Sequence, residues 1–258
     1  MGFPRKSTRR EFLQDLGLVA GGAALAGGLS LPRSLPAAAA PDIAVAGGTQ
    51  PKTDPKAIVK KAIETLGGMG KFVSKGDVVV VKPNIGWDRR PEQAANTNPD
   101  VIAALVEMAL EAGAKEVKVF DNPVSNAQAS YERSGISDAA KNAGADVSYL
   151  DKRFFKTMKV GGDFLKAWPV YTPAVECDCL INVPILKHHS MAGLTMSLKN
   201  YMGVIGGERG AWHRNLDIAL AEFGTFMKPK LTVLDAYRIL LRNGPTGGSV
   251  RDAQIVQK

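Results

Sequence analysis

The amino-acid sequence predicts an α/β fold with a mostly parallel sheet. A unit in which a glycine ends a helix, a strand follows and an aspartate comes after the strand occurs twice, from Gly113 to Asp121 and from Gly144 to Asp151. Repetition of such a unit is typical of parallel strands joined by helical crossovers. Four consecutive valines at residues 78–81 are the second observation, because such a run is typical of a strand buried on both faces.

Two helices are predicted from their start and stop signals. Asp54 and Asn98 each precede a proline, which combines a capping side chain with the residue favoured at the first helical position. Apolar residues then recur at helical spacing until Gly67 and Gly113 end the two helices. The other expected elements are a strand over 117–120, a helix over 131–143, a strand over 147–150, a hairpin or small insertion over 154–171, a strand over 179–183, a helix over 216–226 and a strand over 231–234.

Composition and charge narrow the classes of ligand. The chain has 258 residues, of which 45% are hydrophobic, so a sizeable core is expected. Its formal net charge is +8, without a long Lys/Arg cluster interleaved with aromatic residues. This charge favours an anionic small molecule, or a solvated basic surface, over nucleic acid. The two cysteines are too few for a disulfide framework or a four-thiolate metal site.

The N-terminal residues 1–40 have the three parts of an export signal: a basic start, an apolar middle and a small-residue end. Residues 7–13 read STRREFL and resemble the twin-arginine signal, which implies the twin-arginine translocase as a partner and a periplasmic or otherwise exported protein. The apolar middle is short and glycine-rich, so we expect no membrane span in the mature protein. We expect a linker over 41–53 and a single α/β domain over 54–258.

Four motifs carry a resemblance to a known family. They read VVVVKPN at 78–84, PILKHH at 184–189, SLKNYMG at 197–203 and NGPTGG at 243–248. Together they resemble the domain of unknown function 362 family, over about residues 76–250. The resemblance implies a Rossmann-like three-layer fold and supplies no settled reaction. Members continue past the NGPTGG motif with a further strand and helix, so we expect either an incomplete sheet or a shortened chain.

The resemblance also bears on the cofactor. Some members of the family carry a ferredoxin-type cysteine cluster and are called iron–sulfur proteins. The run of cysteines that such a cluster needs is missing from this sequence, so we do not expect an intrinsic cluster. The identity of any cofactor and the oligomeric state stay open.

Polar residues that follow the predicted strands are the candidate binding residues, since open parallel sheets bind ligands beyond their carboxyl edge. Lys187 and Lys199 stand in apolar sequence, where a lysine can bind a carboxylate or phosphate, act as a base, or extend to the surface. The glycine-rich loop at 206–210 is either an anion cradle with Arg209 or a flexible connection. The candidate binding residues are Lys82, Asn84, Asp121, Asn182, Lys199, Asn200 and Arg209.

His188, His189 and Lys187 are the candidate catalytic residues. Adjacent side chains point apart in regular structure, so at most one of the two histidines is expected to face the cleft. That histidine could act as a general acid or base near neutral pH, or could instead cap a loop. His213, in the next segment, could contribute to the same site.

Cys177 and Cys179 support an alternative reading as a metal site. Residues two apart in a strand share one face, so both thiolates could bind a soft metal together with a histidine, His188 or alternatively His189. The other interpretation is two small buried apolar side chains. We therefore expect an exported protein that binds or converts an anionic small molecule, with a metal or redox accessory protein and a non-catalytic partner subunit as alternatives.

Overall fold

A five-stranded parallel sheet is the centre of the computed structural model, which describes residues 40–49 and 52–258. All four neighbouring pairs of strands run parallel, so the predicted α/β class is confirmed. Numbered along the chain, the five strands lie in the order 3-2-1-4-5, the order of Rossmann-type sheets. In spatial order they are β3 (Asp146–Val147), β2 (Glu116–Val119), β1 (Val78–Lys82), β6 (Cys179–Asn182) and β9 (Leu231–Thr232).

Both faces of this sheet are covered, which gives the three layers expected from the resemblance. Neighbouring residues of a strand point to opposite faces. Val79 and Val81 accordingly pack in one hydrophobic cluster, and Val80 packs in another. The first cluster lies against α1 (Pro55–Thr65), α2 (Pro99–Glu111), α3 (Ala127–Arg133) and α4 (Ile136–Asn142).

The second cluster is built mainly from the part of the chain after residue 150. Trp212 and Phe223 are fully buried in it and meet edge to face, with ring centroids 5.1 Å apart. The hairpin that was one of two alternatives for residues 154–171 is present and contributes Val170. The elements of this region are β4 (Phe155–Lys159), β5 (Ala167–Tyr171), α5 (Pro173–Glu176), α6 (Ser197–Asn200) and α7 (Leu216–Phe226).

The two helices predicted from proline signals are confirmed, and the third prediction is wrong in extent. The Asp54 and Asn98 side chains accept hydrogen bonds from the backbone of the first turns of α1 and α2. The single helix expected over 131–143 is instead two helices, α3 and α4, separated at Gly135. Its φ of 70° is a left-handed conformation that breaks a helix and that glycine adopts at little cost. The strand expected over 147–150 ends at Val147.

A second, four-stranded sheet begins directly after β6, beyond Val183 and Pro184. Its middle pair of strands is parallel and the two outer pairs are antiparallel. In spatial order its strands are β11 (Ala253–Ile255), β10 (Asp235–Leu240), β7 (Ile185–His189) and β8 (Gly193–Thr195).

Asp235 corrects the prediction of a strand over residues 231–234. β9 ends at Thr232, and Asp235, expected to follow the strand, opens β10 in the other sheet. Its buried carboxylate accepts hydrogen bonds from the backbone nitrogens of Asn98, at 2.8 Å, and Tyr237, at 3.0 Å. The carboxylate therefore ties the start of α2 to the second sheet.

Within the described residues, no helix has both the length and the apolar character needed to cross a lipid bilayer.

Candidate functional site

The site lies at the carboxyl ends of β1 and β6, where the strand order of the central sheet reverses. Lys82 and Asn182, the last residues of these strands, are partners in the parallel register. Ligands of open α/β sheets bind in the crevice at this reversal. A cavity of about 400 Å³ opens there, and Asn84, Asp121 and Asn200 are among its lining residues.

Lys82 and Asp121 form a buried ion pair beneath the cavity. Lys82 Nζ lies 2.8 Å from Asp121 Oδ1, and the two side chains are 1% and 3% exposed. The ammonium also donates to the backbone oxygen of Pro83, and the carboxylate also accepts from the backbone nitrogen of Ile85. Burial lowers the pKa of Lys82, and the charge of Asp121 opposes this shift. Because both partners are occupied by the protein, the buried ion pair holds strand ends together and leaves little capacity for a ligand.

Three asparagines extend this pair into a network. Asn200 Oδ1 accepts from Lys82 Nζ and from Asn84 Nδ2, each at 3.2 Å. Its Nδ2 donates to Asn182 Oδ1 at 2.8 Å. The structure thus joins five of the seven predicted binding residues, Lys82, Asn84, Asp121, Asn182 and Asn200, by hydrogen bonds.

Lys187 lines the cavity from β7 and is 2% exposed. Its Nζ donates to Asn84 Oδ1 at 3.0 Å and to the backbone oxygen of Ala95 at 2.5 Å. An ammonium has three N–H groups, and the third finds no acceptor among the described residues. Burial lowers the pKa of Lys187 to about 7, with nearby Lys199 acting in the same direction. With a pKa near neutral pH, Lys187 carries a positive charge and a spare N–H when it is protonated and offers neither when it is neutral.

Lys199 and His213 form a second polar pair in the cavity wall. Lys199 Nζ lies 3.4 Å from His213 Nε2 and 3.3 Å from the sulfur of Met202. His213 Nδ1 lies 3.3 Å from the backbone oxygen of Gly210, which assigns the ring proton to Nδ1 and leaves Nε2 to accept from the lysine. Burial lowers the pKa of Lys199 to about 8. Burial, aided by the charge of Lys199, also lowers the pKa of His213, so near neutral pH the lysine holds the proton and the ring accepts a hydrogen bond from it.

His189 lines the cavity, whereas His188 on the opposite side of β7 does not. The Nδ1 atom of His189 accepts from the backbone nitrogens of Met191, at 3.1 Å, and Ala192, at 3.2 Å. Two donors at Nδ1 assign the ring proton to Nε2. Burial, aided by the charge of Lys199, lowers the pKa of His189 to about 4. His189 is therefore a neutral Nε2–H donor at physiological pH.

His188 has a structural contact instead. Its Nδ1 accepts from the backbone nitrogen of Gly244 at 3.1 Å, and the neighbouring Ser190 nitrogen donates to the Gly244 oxygen at 3.0 Å. These two bonds hold the NGPTGG segment against β7. Pro245 and Thr246 of that segment reach the cavity as a result.

Thr195 is a cavity residue that sequence reasoning missed. It is 3% exposed, and no group of the described chain hydrogen-bonds to its Oγ1. It pairs with Lys187 across the antiparallel β7–β8 hairpin, which places the two side chains on the same face. Knowledge of the hairpin register would have placed Thr195 opposite Lys187. The register could not be predicted, because the strand after Gly193 is too short to show a periodic pattern in the sequence.

Arg209 lines the cavity but is committed to the backbone. Its guanidinium donates to the backbone oxygens of Asn122, at 2.7 Å, and Pro123, at 3.1 Å. Burial lowers its pKa, and the charge of Asp121 opposes this. Arg209 thus fastens the loop after β2 and adds positive charge to the site.

The backbone of Gly203 packs against the buried ion pair. A Cβ atom at this position would overlap with Asp121 Oδ1 and with Lys82 Nζ. The position therefore accepts only glycine, which gives a physical reason for the final residue of the SLKNYMG motif.

The structure does not bring the three predicted metal ligands together. Cys179 opens β6 and Cys177 precedes it, at the amino end of the strand, whereas His188 lies in β7 beyond its carboxyl end. Burial raises the pKa of both thiols to about 11, so both stay protonated. Over residues 40–49 and 52–258, no three His, Cys, Asp or Glu side chains are grouped so that they could hold a metal ion.

A family model described as a domain of unknown function (DUF362) matches residues 79–257. The chain belongs to this family. It is 29% identical over 208 residues to the thylakoid-associated protein sll1697 of Synechocystis sp.. That alignment covers 78% of this chain and 64% of the cyanobacterial protein, so the chain spans less than two thirds of its relative.

Two solved structures show a limited likeness to this chain. A protein from Thermotoga maritima has a TM-score of 0.40 at 18% identity, over 64% of this chain and 43% of its own. The lactate racemase apoprotein from Thermoanaerobacterium thermosaccharolyticum has a TM-score of 0.38 at 16% identity, over 75% of this chain and 52% of its own. Likeness at this level carries no information on the chemistry of the DUF362 chain.

Proposed function

We propose that this DUF362 protein binds a small carboxylate or phosphate in the cavity. We further propose that it moves a proton between its own side chains and the bound molecule. The observation that carries the proposal is the hydroxyl of Thr195, which is buried opposite Lys187 and has no hydrogen-bond partner among the described residues. Buried polar groups without a partner are rare and cost about 1–3 kcal/mol each. A ligand with several acceptor oxygens would satisfy Thr195 and the third N–H of Lys187 at once.

The charges of the cavity favour an anion. Lys187, Lys199 and Arg209 line it, and the carboxylate of Asp121 is already paired with Lys82. The unused hydrogen-bonding capacity is also mainly that of donors, because His189 presents Nε2–H. A neutral or cationic molecule would leave these donors and charges uncompensated.

Lys199 and His213 are the pair that we assign to proton transfer. A catalytic acid or base works best when its pKa lies near the working pH, and that of Lys199 is about 8. His189 has a different role in this proposal, because its Nδ1 is held by two backbone N–H groups. Its Nε2–H can stabilise negative charge that develops on a ligand oxygen. His188, which caps the NGPTGG segment, takes no part in the chemistry.

Calorimetric titration with acetate and with inorganic phosphate tests the binding site. Lys187→Met and Lys199→Met should each weaken binding by about 10- to 100-fold, since a hydrogen bond to a charged group contributes about 1.5–3 kcal/mol. Lys60→Met, which removes an exposed lysine, is the matched control. Equal dissociation constants for all four proteins would remove the basis of the proposal.

Proton transfer is tested separately by NMR. Deuterium from the solvent should enter carbon-bound positions of one or more acids from a panel of small carboxylic acids, and Lys199→Met should abolish this exchange. An exchange rate in the wild type no higher than in the variant would limit the function to binding.

We infer export from the sequence of residues 1–40 alone, which lie outside the described residues apart from Ala40. The paired arginines, Arg9 and Arg10, are the support for the twin-arginine pathway. Replacing both with lysine should keep the protein in the cytoplasmic fraction. Equal amounts of variant and wild type in the periplasmic fraction would contradict this inference.

A further inference from the structure

The cavity is polar at depth and apolar at its mouth. Lys187, Thr195 and His189 are between 2% and 5% exposed and present hydrogen-bond donors. Val124 and Met191 line the same cavity and are each 66% exposed. The lining therefore changes from buried donors to exposed hydrocarbon between the floor and the solvent.

Separate chain segments supply the apolar mouth. Trp87 comes from the loop after β1, Val124 from the loop after β2, Met191 from the β7–β8 turn and Pro245 from the segment after β10. Single exposed apolar residues are ordinary on protein surfaces. Val124 and Met191 are each 66% exposed, so burial in the core does not explain why both lie at this opening.

Backbone hydrogen bonds hold the mouth in place before any ligand arrives. The Val124 nitrogen donates to the Gly86 oxygen at 2.9 Å, which joins the loops after β1 and β2. The Met191 nitrogen donates to Nδ1 of His189 at 3.1 Å, so the mouth and the floor are connected through one imidazole ring. A mostly pre-formed apolar cleft with a few placed polar groups is the usual form of a small-molecule site.

We propose that the ligand is an amphiphilic carboxylate, with its carboxylate among the buried donors and a hydrocarbon chain or ring extending past Met191 and Val124. This inference rests on the anion site proposed above and adds the class of molecule that the site accepts. A two-carbon acid would satisfy the donors alone. The volume of about 400 Å³ falls in the range of about 300–1,000 Å³ that encloses larger ligands, and the apolar mouth gives the remainder of such a ligand a surface to cover.

A series of straight-chain acids tests this inference on the full chain. Acetate, butyrate, hexanoate and octanoate are titrated by calorimetry, with displacement titrations for the weakest. Affinity should rise about two- to fourfold for each added methylene, the upper figure being complete removal of that methylene from water.

Variants at the mouth show where the added chain lies. Met191→Ser and Val124→Ser should each flatten the increase of affinity with chain length. Ile43→Ser is the matched control, because Ile43 is 75% exposed and lines a second, apolar cavity of about 330 Å³. A chain-length effect that disappears in Ile43→Ser and persists in Met191→Ser and Val124→Ser would assign the hydrocarbon to the second cavity and overturn the inference.

The remaining outcomes separate this inference from the anion site on which it rests. Acetate binding with no gain up to octanoate would overturn the amphiphile and leave the anion site intact. Failure of all four acids and of inorganic phosphate would overturn both. Co-sedimentation with phosphatidylglycerol vesicles, without binding of octanoate, would assign the apolar mouth to a membrane surface instead of a soluble ligand.

Discussion

Replacing Thr195 with valine should make the ligand-free protein more stable and its anion site weaker. Valine has nearly the shape of threonine without the hydroxyl, so the exchange removes one polar group and leaves the packing of β8 largely unchanged. Thr195 is 3% exposed, and no group of the described residues hydrogen-bonds to its hydroxyl. In the complex it would donate to the ligand.

The magnitude follows from that unpartnered state. A buried hydroxyl without a hydrogen bond costs about 1–3 kcal/mol, so Thr195→Val should raise the free energy of unfolding by about 1–2 kcal/mol. For a domain of this size that corresponds to a rise in Tm of about 2–8 °C. Loss of a hydrogen bond to a charged ligand should weaken acetate or phosphate binding by about tenfold or more.

Differential scanning calorimetry and titration calorimetry on the same preparations measure both effects. Thr157→Val, at an exposed position of β4, is the matched control and should change neither quantity beyond about 0.5 kcal/mol. A Thr195→Val protein that is less stable than the wild type would show that the hydroxyl is already bonded in the free state. The reasoning for a ligand donor at this position would then be refuted.

Three further outcomes are expected. Gly203→Ala should lower the free energy of unfolding by about 3 kcal/mol or more, because it disrupts the buried ion pair, whereas Gly70→Ala, with open space around it, should cost far less in the same denaturant titration. Binding of acetate should weaken between about pH 6 and 9, because Lys187 and Lys199 lose their charge as pH rises through their pKa values of about 7 and about 8, and a pH-independent Kd would contradict this. Burial raises the pKa of Asp235 to about 6, so between about pH 4 and 6 the folded state holds a proton that the unfolded chain releases. The stability that this group contributes is therefore present below about pH 4 and is lost as pH rises through 6. Asp235→Asn should abolish this loss of stability in thermal melts.

The fold was predictable wherever the sequence carries local signals. Asp54 and Asn98 cap the helices that the following prolines start, and the valine run forms β1 at the centre of the sheet. The helix break at Gly135 was not predictable, because a single glycine inside a helical pattern is often tolerated. The transfer of the chain from one sheet to another at Pro184 and again before Asp235 was also missed, since apolar runs look alike in either sheet.

The sequence predicted where the site lies better than it predicted which side chains can bind a ligand. Polar residues after β1, β2 and β6 were expected at one sheet edge, and the structure joins Lys82, Asp121 and Asn200 there by hydrogen bonds. Their spacing in the sequence does not reveal that they satisfy one another. Nor does it reveal which groups keep free hydrogen-bonding capacity, because the Thr195 hydroxyl depends on hairpin register and the His189 tautomer depends on two backbone nitrogens.

This difference between satisfied and unsatisfied groups divides the polar residues of the site into two layers. The lower layer, Lys82 with Asp121 and Asn200, is fully bonded, so changes there should act mainly on folding. The upper layer, Lys187 with Thr195, is buried to the same degree and still has donors to offer. Buried donors without hydrogen-bond partners lower the stability of the folded protein unless a ligand binds to them. The proposed site therefore predicts a change in stability as well as a geometry. A ligand with acceptor oxygens that fits the site should raise Tm, and this rise in Tm should be smaller in Thr195→Val.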